Sequence, residues 1–147
     1  ELKVEDITIE VARGAANSSA ADGAGLKVDG SDASFLWNHA GQHMVVNEDT
    51  KLNGLTAAFA SISTDTTLNQ KHFLVKVDTS GGAVTVTLPS SMPTGKVFVI
   101  KQAGHASNAV TIATAGSETI DGAASISLSS AFGAANLMYD GSNYLIW

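Results

Sequence analysis

The chain has no cysteine and only two prolines among its 147 residues. Without thiols, neither a disulfide framework nor a cysteine-based structural zinc site is available. Cysteine usage therefore leaves the redox compartment open. Charge is also scarce: charged residues make up 15% of the chain, against about 25% in an average soluble domain. The eight Lys and Arg residues are scattered singly, and the net charge is −6. Nucleic-acid binding needs a clustered basic stripe that displaces counterions from phosphates, so neither nucleic acid nor an anionic membrane is an expected partner. No apolar run reaches the roughly 20 residues of a membrane-spanning helix, so no membrane insertion is expected. Glu1-Leu2-Lys3 shows neither an initiator Met nor a signal-peptide pattern, as expected of a fragment or a processed chain.

What fills the chain is Gly, Ala, Ser and Thr, with 44% hydrophobic residues. That is too apolar for a disordered segment. Periodicity of two dominates. Ile7-Thr8-Ile9-Glu10-Val11, Val84-Thr85-Val86-Thr87-Leu88, Val110-Thr111-Ile112 and Ser125-Ile126-Ser127-Leu128 alternate as half-buried strands do. Phe73-Leu74-Val75 and Val97-Phe98-Val99-Ile100 are unbroken apolar runs, expected to bury both faces. Turn signals separate these runs: Asp29-Gly30, Ser80-Gly81-Gly82, Asp121-Gly122 and Asp140-Gly141, with Pro89 and Pro93 ending a strand. Phe35 to Val46 and Leu137 to Trp147 each read as a hairpin with an aromatic before the turn.

Three regions follow. Residues 1–50 form an N-terminal β-segment, 51–71 a connector whose Ala-rich stretch Leu52 to Ile62 is helical or irregular, and 72–147 a C-terminal β-domain. A segment below about 60 residues has difficulty burying enough surface alone. With no cysteine to staple it, oligomerisation is expected.

Ala20-Ala21-Asp22-Gly23-Ala24-Gly25-Leu26-Lys27-Val28-Asp29-Gly30, with Ala33-Ser34-Phe35 and the Trp37 hairpin, resembles a module of bacteriophage tail-fibre and other virion structural proteins, marine phages included. The C-terminal region resembles a second phage-fibre segment through Val77 to Pro89, Phe98-Val99-Ile100-Lys101, Glu118-Thr119-Ile120-Asp121-Gly122 and Tyr139-Asp140-Gly141-Ser142-Asn143. The resemblance implies a virion location, a homotrimer, other virion proteins as partners and attachment to a host surface glycan or protein. His105 stands where such segments more often carry a small residue or Asn.

No residue pattern announces catalysis. There is no Gly-x-Ser-x-Gly elbow to present a serine nucleophile. His39 and His43 are four apart, the spacing of helical metal ligands, but the Ala-Gly between them argues for a turn. Asp29-Gly30-Ser31-Asp32 lacks the oxygen set of a calcium loop, and Asn17-Ser18-Ser19 is a chance glycosylation triplet. Asp121 with Asp140 is the one loop pair of carboxylates to check for glycosidase geometry. No enzyme activity and no cofactor are expected. Trp37, Tyr139, Tyr144 and Trp147 could stack on a receptor glycan or fill the core; core filling is the expected role, with Tyr144 the best exposed candidate. His105, Asn108 and Tyr144 are the candidate receptor contacts, because loops on a rigid β-scaffold carry recognition.

The expected fold is all-β with short antiparallel strands: an intertwined N-terminal segment, then a small sandwich-like C-terminal domain, assembled as a homotrimer. The expected function is a tail-fibre segment for host attachment. A capsid decoration or neck protein without receptor binding, and a cellular carbohydrate-binding adhesin, are the alternatives.

Overall fold

A computed structural model describes residues 9–104 and 107–147, and among them every regular element is a β-strand. Two compact units are present, Glu1–Gly54 and Leu55–Trp147.

The first unit is a three-stranded antiparallel meander of β1 (Gly25–Lys27), β2 (Ser34–Asn38) and β3 (His43–Val46). Its turns use the residues that the sequence singles out. Asp29 to Asp32 link β1 to β2, closed by the Val28 N–H donating to Ala33 O at 2.8 Å, with Gly30 and Asp32 both at positive φ. The β2–β3 turn is held by Gly41 N–H donating to Asn38 Oδ1 at 2.5 Å. Gly25 has a packing role: a Cβ there would stand 2.0 Å from Phe35 O. The alternation read at Ile7 to Val11 lies partly outside the described residues, and Ile9, Glu10 and Val11 carry no strand.

The second unit holds two sheets. One contains β4 (Phe59–Ile62), β6 (Leu74–Val77), β8 (Val97–Gln102), β11 (Ala134–Tyr139) and β12 (Tyr144–Ile146), in the order β12-β11-β8-β6-β4. The other contains β5 (Thr66–Thr67), β7 (Val84–Leu88), β9 (Val110–Thr114) and β10 (Ser125–Leu128), in the order β10-β9-β7-β5. From β4 to β9 the chain changes sheet after every strand, and each strand stacks in parallel on the one two before it. Only at β10, β11 and β12 does pairing turn antiparallel.

The all-β expectation holds, but the expected antiparallel strands are only part of the fold, since β4 to β9 pair in parallel. Ser80-Gly81-Gly82 reads as a turn, and its Gly82 N–H does close on Thr79 O at 3.2 Å. The turn nevertheless delivers the chain to the opposite sheet. Composition cannot separate these outcomes, because both need a tight bend between two alternating strands.

Inward residues of the two sheets share one core. Val75, Val77, Phe98, Ile100 and Leu137 from one side meet Val84, Val86, Leu88, Val110 and Ile112 from the other, all nearly or wholly inaccessible. Period two accounts for this directly, since every second side chain points inward. The expectation that Val97 to Ile100 buries both faces is corrected: Phe98 and Ile100 are buried, while Val97 and Val99 are half-buried. Residues 52–58 are irregular, as read, but 59–62 and 66–67 are strands. The segment read as a connector thus supplies the edge strand of each sheet, with Ile62 and Leu68 joining the core.

Candidate functional site

Of the three residues proposed for receptor contact, the two that are described, Tyr144 and Asn108, are both held by the scaffold. His105 lies outside the described residues. Tyr144 is fully buried, which overturns its reading as an exposed loop aromatic. It pairs with Tyr139 across β11 and β12, its ring centre 5.1 Å from that of Tyr139 and 6.3 Å from that of Phe98. Its hydroxyl donates to Pro89 O, just beyond β7 in the other sheet. Burial pushes the phenol pKa upward, and the charges of Glu118 and Tyr139 push the same way.

Asn108 is half-buried, and its side chain is committed to the scaffold. Its Nδ2 donates to Thr79 O at 2.8 Å, while its own carbonyl accepts from Gln102 Nε2 at 2.8 Å. Thr79 and Gln102 are the buried polar residues of the core. Together they fix the base of the β8–β9 loop to the ends of β6 and β8.

Sequence reasoning missed Phe132. It stands in the turn before β11 with φ 59°, a left-handed conformation that is unusual for a bulky residue, and its side chain is 66% exposed. Lys101 Nζ donates to its carbonyl, and a Cβ on Gly104 would fall 2.8 Å from its ring. An aromatic in the polar run Ser129-Ser130-Ala131-Phe132-Gly133 was the available signal.

The side chains weighed for catalysis and metal binding are engaged in hydrogen bonds of the scaffold. His39 Nδ1 lies 2.6 Å from Ser18 Oγ, whereas His43 Nδ1 donates to Gly41 O at 2.7 Å. No group of three or more metal-ligating side chains occurs among the described residues. Asp22 does not orient the His39 ring: its Oδ1 accepts the His39 backbone N–H at 2.7 Å. Asp121 Oδ1 accepts from Ile146 N–H at 3.2 Å, and Asp140 Oδ1 accepts from Ser142 and Asn143 N–H at 2.8 and 2.7 Å. Those two backbone bonds, Asn143 first, draw the Asp140 carboxyl below its ordinary value. Asp140 therefore caps its own turn, while Asp121 ties its turn to β12.

The most distinctive surface lies on the first unit. From residue 9 to residue 54, not one residue is buried. Register places Leu26 opposite Phe35, Phe35 opposite Val46, and Trp37 opposite Met44. Alternation brings these five to one face of the meander, with Val28 in line with Leu26. Ile9 and Val11 join Leu26, Phe35, Trp37 and Met44 around an open apolar groove of about 500 Å³. The opposite face carries Lys27, Ser34, Asn38 and His43 alongside Leu36 and Val45.

No protein-family model matches the chain, and the search of curated proteins likewise finds no match.

Proposed function

We propose that this chain is a non-catalytic virion structural protein: a homotrimeric tail-fibre segment that takes part in host attachment. The observation that supports it most is the contrast between the units. The second unit encloses an apolar core of its own. Among the described residues of the first none is fully buried, and it offers a hydrophobic sheet face. A module of that kind suits an extended assembly in which neighbouring copies supply the missing contacts. The resemblance of both regions to phage-fibre segments gives the assembly its setting.

The mechanism is adhesion by multiplicity. Several copies of a modest contact raise avidity through effective concentration, so no single site has to bind tightly. In the second unit, the exposed Phe132 ring on its constrained turn is the contact point of choice. Loops and turns on a rigid β-scaffold hold such a group in place at little entropic cost.

The test is immunogold labelling of phage particles that carry this chain, using antibody raised against it. Gold on the tail appendages is expected. Gold on the capsid or neck would support the decoration reading, and particles without label would remove the virion role altogether.

A further inference from the structure

We infer that the face formed by Leu26, Val28, Phe35, Trp37, Met44 and Val46 is the surface on which a second copy of this chain docks. The inference rests on the self-assembling reading above and assigns it a specific surface.

Area is the first argument. Ile9, Val11, Leu26, Val28, Phe35, Met44 and Val46 are each between 41% and 62% exposed. Their exposed surface comes to roughly 600 Å², the upper limit of the largest apolar patch on a typical monomer. The half-buried Trp37 and Ala24 on the same face add to it, towards the ~800 Å² that each partner contributes to a standard interface.

Charge is the second. None of the six face residues is ionisable, and Glu48 stands only at the rim beside Val28 and Val46, so three copies can turn this face towards a shared axis with no like charges at its centre and no ion to desolvate there. A face bearing one sign of charge would repel its own copy. The opposite face, with Lys27 and His43, does not have this property.

The third argument is the absence of another staple. The chain has no cysteine, and the described residues hold no metal-ligating cluster. For a unit this small, that leaves association as the way to bury apolar surface.

The test uses the full chain in a Trp147→Phe background, so that Trp37 is the sole tryptophan. Sedimentation is measured alongside acrylamide quenching of Trp37 on dilution. Phe35→Glu is expected to weaken association about 100-fold or more, since it places a charge in an apolar interface. Val45→Glu, on the opposite face of the same sheet, is expected to leave association unchanged. Trp37 should be protected in the assembly and become quenchable as it dissociates, a readout that needs no destabilising variant.

If the chain associates but Trp37 stays equally quenchable throughout, or if both glutamate variants dissociate alike, this face is not the interface, and the self-assembly reading survives. A monomer at micromolar concentration, even one with Trp37 protected within its own chain, would overturn both.

Discussion

Replacing Tyr144 with Phe isolates one hydroxyl at the centre of the second unit. The ring contacts with Tyr139 and Phe98 remain, while the hydrogen bond to Pro89 O is lost. That bond joins β12 in one sheet to the residue following β7 in the other. Removing a buried hydrogen bond while keeping the packing costs about 1–2 kcal/mol. In a domain of 60–100 residues, each kcal/mol moves Tm by about 4–8 °C, so a drop of roughly 5–15 °C is expected at pH 7. The pH dependence adds a second signature. The folded phenol has its pKa raised above the ordinary value of 10.0, so its contribution is fully present below pH 10. It is then lost as pH rises towards the folded pKa, at about 1.4 kcal/mol per pH unit. Phe cannot ionise, so the difference between wild type and variant should shrink above pH 10 and nearly vanish by about pH 11. Thermal melts followed by circular dichroism from pH 7 to 11 measure both effects. Equal Tm values at pH 7, or a gap that stays constant to pH 11, would refute the assignment of Tyr144 as a buried cross-sheet tie.

Three further outcomes are expected. Gln102→Leu removes the donor to Asn108 O and loosens the base of the β8–β9 loop, lowering stability by about 1–3 kcal/mol in urea unfolding. Asp140 has a depressed folded pKa, so its contribution is present above the ordinary value of 3.8 and lost as pH falls through the lower folded value. Asp140→Asn should accordingly flatten the dependence of Tm on pH in that acid window. Phe132→Asn suits the left-handed backbone better and should raise stability by about 1 kcal/mol, while weakening attachment if the ring makes the contact.

Strand identity was largely legible, because alternation in Val84 to Leu88 and Val110 to Ile112 reports a sheet with one buried face. The turns were legible too, since Asp-Gly and Gly-Gly pairs mark bends. Which sheet each bend leads to was not. A bend at Ser80-Gly81-Gly82 has the same chemistry whether the chain folds back beside β6 or crosses to β7 opposite. The parallel order emerges only from long-range pairing, such as Val75 beside Ile100 and Val86 beside Ile112.

Tyr144 and Asn108 departed from their expected exposure for a related reason. Tyr144 follows the Asp140-Gly141 turn, and a residue beside a turn reads as exposed. Its partner Tyr139 directly across the hairpin shares the inward face, and the core takes both. Asn108 looked like a loop residue free for recognition, yet the buried Thr79 and Gln102 needed its amide and carbonyl. The apolar face of the first unit was readable in part: Leu26, Phe35, Trp37 and Met44 are visible as hydrophobic positions, but their common side depends on register.

The most direct test of the account is the molar mass of the intact chain in solution by multi-angle light scattering at micromolar concentration. Assembly through identical first units predicts a single species of about three times the 15.0 kDa chain. A soluble, stable species at 15.0 kDa would contradict it, because the hydrophobic side of the meander would then need no other copy.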